Sequence, residues 1–234
     1  MENITISPTT AFEPRKHLEK FYSNLYRGDA NSDSPEQTKT SLLARSVSHI
    51  FSLREEDVIM DIGSGPQIIP RQLYKSYGPP KCKIVTVDMA DIPEHKLLMK
   101  NRSNVTHVKA DGSRLPFGNE TFSLAVSNMA LDLMPKETIS ELYRVSKPDS
   151  RAFLNLHHPF IIPENLDELL SDPRIKKGQK RALVFWQYLK RNNILFKNQT
   201  EIENAFVNAG FSIINIKEAG NSSDKWWEVD LVKR

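Results

Sequence analysis

Two hydrophobic periods divide the chain. Up to about residue 54 apolar positions recur at helical spacing, and from residue 57 short apolar runs alternate with helical stretches. Residues 1 to 10 carry neither pattern and read as disordered. "AFEPRKHLEKFYSNLYRG" reads as a helix, and so does "TKTSLLARSVSHIFSL" beyond the polar linker "DANSDSPEQ". "DVIMDI" reads as a strand and "IIPRQLYKSYG" as a helix stopped at Gly78 and a Pro-Pro break. "CKIVTVDM" is a second strand, "IPEHKLLMKN" a short helix and "NVTHVKAD" a third strand. "TFSLAVSNMAL" is a fourth strand, "PKETISELYRVS" a helix with Pro135 in its first turn, and "RAFLNLHH" a fifth strand. This alternation predicts an α/β fold with a parallel, doubly wound sheet. The tail departs from it. Residues 159–197 are irregular, with helical pieces "ENLDELL" and "ALVFWQYLK", and "QTEIENAFVNAG" is a helix stopped by Gly210. "FSIINIKEA" and "KWWEVDLVK", joined by a short connection, predict an antiparallel pair at the sheet edge.

Composition narrows the class without naming a function. A chain of 234 residues, 39% hydrophobic and 26% charged, suits one domain with a substantial core. The net charge of +3 permits an anionic partner but does not announce a nucleic-acid binder, which usually shows a concentrated basic face. The lone cysteine, Cys82, precedes an apolar strand, so a disulfide framework is excluded and a reducing, cytoplasmic location is expected. "MENITISPTTAFEP" lacks the basic start and apolar core of a signal peptide, and no run approaches the ~18 apolar residues of a membrane span.

Chemistry concentrates at the strand ends. "VIMDIGSGPQIIP" strips side chains from the turn at Gly63 and Gly65, as a strand-turn-helix cradle for a polar ligand requires. Asp61, Asp88 and Asp111 fall at or just beyond three successive strand ends and therefore along one rim of an open parallel sheet. A carboxylate at the second strand suits a ribose diol, whose two hydroxyl protons it can accept. One at the third suits a purine amine. Met89 offers either a polarizable face to an adenine ring or simple packing. No metal site is expected: tetrahedral His/Cys spacings and clustered oxygen ligands are both missing from the pattern.

With "DIGSGP", "VDMAD", "ADGSRLPFGNETFSLAVSNMALDLMP" and the strand-strand tail, the sequence resembles class I S-adenosylmethionine-dependent methyltransferases over roughly residues 55 to 234. The run from Asp111 to Pro135 is the most specific part. The resemblance implies a mostly parallel, seven-stranded Rossmann-like sheet with an antiparallel C-terminal edge. An N-terminal helical cap (1–54) would precede it, with a lid-like insertion at 159–197. S-adenosyl-L-methionine is the implied cofactor, held by Asp61, Gly63, Ser64, Gly65, Asp88, Met89, Asp111, Gly112, Asn128 and Met129. Two positions depart from the family. Gln67 replaces a frequent third loop glycine, so its side chain would crowd the cofactor tail or bond to it. Asp132 stands where histidine is common, as a substrate contact or a solvated, capping acid.

The acceptor chamber is expected from the parts outside the cofactor site. The N-terminal helices and the 159–197 insertion are rich in aromatics, among them Phe21, Tyr22, Tyr26, Phe160, Phe185, Trp186, Tyr188 and Phe196. Tyr22, Tyr26, Phe160 and Trp186 are the candidate substrate residues, as a lid over a small, partly apolar molecule. "RIKKGQKR" has no interleaved aromatics and reads as a solvated loop. "HHPF" resembles a His-Pro of some small-molecule methyltransferases. Of its adjacent histidines, His157 and His158, one should enter the chamber. Pro159 fixes the backbone of His158, which is therefore the expected base. A small-metabolite methyltransferase is the expected function; RNA or protein methylation, or cofactor binding without transfer, are the alternatives.

Overall fold

A computed structural model describes residues 36–175, 177–221 and 224–234. Helix α1 (Glu36–Ser52) leads into β1 (Val58–Ile62), α2 (Ile68–Tyr77), β2 (Lys83–Asp88), β3 (Val105–Lys109) and β4 (Phe122–Asn128). Then come α3 (Glu137–Val145), β5 (Ser146–His157), α4 (Leu166–Ser171), α5 (Lys177–Arg191), α6 (Gln199–Asn208), β6 (Phe211–Gly220) and β7 (Lys225–Lys233).

The seven strands form one sheet in the order β3-β2-β1-β4-β5-β7-β6. The four pairings among β1 to β5 are parallel, and β7 runs antiparallel between β5 and β6. This is the expected doubly wound architecture with its antiparallel edge. Both faces are covered because apolar residues alternate along the strands. Ile59, Ile84, Leu124 and Phe153 pack on one side with Leu42, Leu43 and Ile50 of α1 and Leu73 of α2. Met60, Ile62, Leu154 and Leu156 pack on the other with Ile139 and Leu142 of α3 and Ile202 and Phe206 of α6. Among the described residues no helix is long and apolar enough to cross a membrane.

Two elements differ from their sequence pattern. "IPEHKLLMKN" keeps only a single 3-10 turn, Glu94–Lys96. Its backbone is bonded elsewhere: Leu98 N–H donates to the Pro66 carbonyl (3.2 Å) and Met99 N–H to Gln67 Oε1 (2.9 Å). A helix would need those donors for itself. Strand β5 begins at Ser146 rather than residue 151, and its register against β4 shifts between Phe122 and Leu124.

Helix α5 packs beside the end of β4. Phe185 and Leu189 of α5 bury themselves with Leu195 against Leu133, which follows β4. This seats α5 at the carboxyl end of β4, where an open parallel sheet presents its ligands.

Candidate active site

The loop after β1 is held as a backbone cradle. Gly63 and Ser64 N–H both donate to the Val87 carbonyl at the end of β2, at 2.8 and 3.1 Å. Gly63 has φ +71°, and a Cβ there would lie 2.2 Å from the Cβ of Ala130 in the loop after β4. Conformation and crowding both require glycine at this point. Gly65, also at positive φ, gives its N–H to Asp88 Oδ2 (2.8 Å), and Ala90 N–H donates to Oδ1 (2.8 Å). Asp88 is thus fixed at the end of β2, and each oxygen keeps acceptor capacity for a further donor. Met89, beside it, is half-buried.

Asp61 is the conspicuous group. It is 1% exposed, and neither carboxylate oxygen has a hydrogen-bond partner among the described residues. Burial, with the neighbouring charge of Asp88, pushes its pKa up to about 8. Burial raises that of Asp88 as well, against the backbone N–H groups that lower it. A buried carboxylate without donors is costly. It fits a cationic ligand that brings the missing donors with it. Ser64 is buried alongside, its hydroxyl 3.4 Å from the Gly65 carbonyl.

Gln67 resolves differently from either expectation. It adopts a left-handed backbone, φ 70° and ψ 42°, and is 1% exposed. Its amide turns away from the cradle: Nε2 donates to Thr86 Oγ1 (3.2 Å), while Oε1 takes the Met99 N–H. It therefore clasps the cradle to β2 and to the segment ahead of β3. Gln67→Ala should cost about 1–3 kcal/mol, since Met99 N–H is left buried without its acceptor. Urea unfolding would measure this, and an unchanged midpoint would show that the clasp carries no weight.

At the third strand end, Asp111 folds its own loop: Oδ1 accepts from Ser113 N–H (2.9 Å) and Ser113 Oγ (2.8 Å). Gly112 is buried against α3, where a Cβ would lie 2.9 Å from both Met134 Sδ and Thr138 Cγ2. Its need for glycine comes from that packing.

The end of β4 joins three elements. Asn128 Nδ2 donates to Thr38 Oγ1 (3.3 Å), and Asn128 Oδ1 accepts from Asn155 Nδ2 (3.1 Å). Asn155 also donates to the Thr38 carbonyl (2.7 Å), so the start of α1 is tied to β4 and β5. Met129 holds a left-handed φ of 57° and gives its N–H to the Asn155 carbonyl (2.8 Å). That strained residue turns the chain from β4 into the Leu131–Leu133 turn.

The two histidines separate into different surroundings. His158 lies 4.9 Å from Trp227 between ring centroids, accepts Phe160 N–H at Nδ1 (3.1 Å), and sets Nε2 3.1 Å from Glu218. The extended backbone before Pro159 aims it towards β6 and β7, not towards the β4 end. His157 takes the other face. Its Nδ1 lies 3.0 Å from Asp132 Oδ2, its backbone N–H donates to the same oxygen (3.0 Å), and its ring meets Trp186 edge-on at 6.2 Å. Asp132 is buried, not a solvated acid.

The expected aromatic lid also divides. Trp186 stands over His157, but Phe160 is 53% exposed beneath Lys225 Nζ and does not join it. Phe185 belongs to the α5 cluster with Leu133, and Phe196 packs against Phe206. Phe21, Tyr22 and Tyr26 lie outside the described residues. Among the described residues no group of three His, Cys, Asp or Glu side chains could hold a metal ion.

Residues 60–154 match a family model described as a methyltransferase domain. No curated protein matches the sequence. The fold is similar to that of the 1,6-didemethyltoxoflavin-N1-methyltransferase of Burkholderia thailandensis, solved with 1,6-didemethyltoxoflavin and S-adenosylhomocysteine. That likeness has a TM-score of 0.67 at 14% identity and covers 99% of this chain and 98% of that one. A phosphoethanolamine N-methyltransferase of Haemonchus contortus, solved with phosphomonomethylethanolamine and S-adenosylhomocysteine, gives 0.59 at 13% identity, over 96% of this chain and 61% of that one. A Haloferax volcanii protein, described as a putative methyltransferase in complex with the Trm112 methyltransferase activator, gives 0.61 at 14%, over 95% and 98%.

Proposed function

We propose that the chain is a class I S-adenosylmethionine-dependent methyltransferase whose acceptor is an oxygen or nitrogen of a small metabolite. The observation that carries this reading is the cap: α5 sets Trp186 over His157 at the β4 and β5 ends, narrowing the place where an acceptor would lie. A macromolecular acceptor would call for an open, basic rim. The small acceptor named for the Burkholderia enzyme, whose length this chain matches almost fully, agrees with that choice.

The residues present fit the cofactor. Asp61 would neutralise its amino group, the loop Gly63–Gly65 would approach its methionine portion, and Asp88 would take the ribose hydroxyls. Met89 and Asp111 would border the adenine, and Asn128 and Met129 the reacting centre. When bound, the cofactor supplies an electrophilic methyl group on a sulfonium. The chain's own part is alignment, exclusion of water and handling of the acceptor proton. The buried Cys82 thiol, its pKa raised to about 11 by burial, takes no part and suits a reducing, cytoplasmic location.

Thermal shift and calorimetry with S-adenosylhomocysteine test the reading. The ligand should raise the melting temperature by mass action, and Asp88→Ala should weaken binding by about 1.5–3 kcal/mol, the scale of hydrogen bonds to a charged group. The same variant removes the acceptor of Gly65 and Ala90 N–H, so its own stability must be measured alongside. Absence of binding by the wild-type protein, or equal binding by a folded Asp88→Ala, would overturn the assignment.

A further inference from the structure

We infer that Asp132 and His157 form a proton-accepting dyad, in which His157 Nε2 takes the proton of the methyl acceptor and Asp132 positions the ring. The inference rests on the methyl-transfer reading above and deepens it. Four observations carry it.

The dyad is built from both sides of one carboxylate. Nδ1 of His157 lies 3.0 and 3.2 Å from the two oxygens of Asp132, and the His157 backbone N–H reaches Oδ2 at 3.0 Å. A carboxylate accepts hydrogen bonds and has none to give, so the ring must present Nδ1–H to it. The neutral imidazole then carries its lone pair on Nε2. Among the described residues nothing hydrogen-bonds to that nitrogen.

Its location is the second observation. Asp132 lies in the turn that follows Met129 and β4, and His157 ends β5. Both stand at the carboxyl ends of strands, where this sheet class binds ligands. The Asp132 side chain is fully buried and that of His157 is 10% exposed, so an imidazolium formed here keeps its counter-charge in a poorly hydrated place.

The third observation is the pair of indoles. Trp186 meets the His157 ring edge-on, and Trp226 is its Cα partner on β7, hence on the same face of the sheet. The fourth concerns Trp226 itself: it is 4% exposed, yet its indole N–H has no hydrogen-bond partner among the described residues. A buried donor of that kind suits a ligand that brings an acceptor atom.

Together these describe an aromatic or heteroaromatic acceptor with an ionisable O–H or ring N–H and a second polar atom. In the transfer, the acceptor's lone pair forms the bond to the methyl carbon and the carbon–sulfur bond breaks, its electron pair staying on sulfur. The acceptor proton moves to Nε2 and leaves to water afterwards. Atoms and charge then balance: the sulfonium's positive charge departs as that proton.

Nitrogen-15 NMR of the full chain labelled at histidine tests the dyad without an acceptor in hand. His157 should be the Nδ1–H tautomer at neutral pH, and Asp132→Asn should mix its tautomers. For turnover, a panel of phenols and ring N–H heteroaromatics with methyl-labelled cofactor is the probe. On the best of these, His157→Gln should lose about 10²–10⁴-fold in kcat and Asp132→Asn a smaller factor. S-adenosylhomocysteine affinity should stay within twofold in both. An Nε2–H tautomer in the wild-type protein overturns the dyad, as does full turnover by His157→Gln. Failure of the wild-type protein to bind S-adenosylhomocysteine would instead strike the cofactor reading. If a variant unfolds, the wild-type tautomer still decides.

Discussion

Asp61→Asn is expected to stabilise the folded protein near pH 8 while cutting cofactor affinity about ten- to a hundredfold. Both effects follow from one buried carboxylate. Its folded-state pKa is raised from 3.8 to about 8 by burial, with Asp88 adding to the shift. In the unfolded chain the group ionises near its ordinary value; in the fold it keeps its proton. Native protein therefore binds more protons than unfolded protein between these values, and stability falls as pH rises through that window. The rise bounds the penalty at roughly 6 kcal/mol above pH 8, at about 1.4 kcal/mol for each tenfold change in proton affinity. Asn removes the ionisation but leaves a buried amide to satisfy, so the net gain should be about 1–3 kcal/mol. Below pH 4 the gain should vanish.

Cofactor binding should respond in the opposite sense. A cationic amino group needs Asp61 ionised, so wild-type affinity for S-adenosylhomocysteine should strengthen as pH rises towards 8. Calorimetry in buffers of different ionisation heat should detect a proton released on binding by the wild-type protein, and none by Asp61→Asn. Urea midpoints and calorimetry across pH 5–9 check both halves. Equal affinity in the variant would remove Asp61 from the site, and an unchanged midpoint would mean that its burial carries no strain.

The cradle was legible in the sequence because its chemistry is local. A strand, an acid and two glycines lie within the eight residues from Val58 to Gly65, and Asp88 closes the next strand. Those patterns need only the rule that ligands gather at strand ends. Tertiary partnerships were not legible. His157 and Asp132 are 25 residues apart and meet only because β4 and β5 pair in parallel, in a register that puts Asn128 opposite Asn155. Alternation along β5 said that one histidine faces each way, but not which face held α5. Gln67 carried the same ambiguity: a long amide in a glycine's place bonds outward or inward. The competing donors, Met99 N–H among them, come from a segment whose apolar spacing read as a helix. That misreading and the fate of Gln67 have one cause, a strap of backbone bonds between two loops.

Arg45→Met should cost about 3–5 kcal/mol, the scale for breaking a buried ion pair from one side. Arg45 reaches from α1 to two strands, β5 and β7. It pairs with Asp230, donates to Asn155 Oδ1 (2.5 Å) and the Leu154 carbonyl (3.2 Å), and sets Nε 3.5 Å from Glu228. Ser41 donates to Glu228 as well, and Lys217 approaches it at 3.1 Å. Burial lowers the pKa of Arg45 to about 10 despite the attraction of Glu228, so its charge is held against a real desolvation cost. The pair is thus not a net source of stability over an apolar replacement; it is costly chiefly to break. Arg45→Met combined with Glu228→Met and Asp230→Leu should recover most of the loss, as the stranded carboxylates disappear with their partner. Burial alone would raise the Glu228 pKa, but the Ser41 and Lys217 hydrogen bonds and the charges of Arg45 and Lys217 bring it below the usual value. Its contribution is therefore present above the ordinary carboxylate range and lost as pH falls through the folded value. Hence the deficit of Arg45→Met should shrink in acid. Guanidinium unfolding of the single and triple variants at pH 7 and pH 4 measures this, and a single variant as stable as wild type would sink it. The consequence reaches the site, because α1 also delivers Thr38 to Asn128 and Asn155. A loosened α1 should therefore weaken S-adenosylhomocysteine binding in the single variant, and the triple variant should restore it.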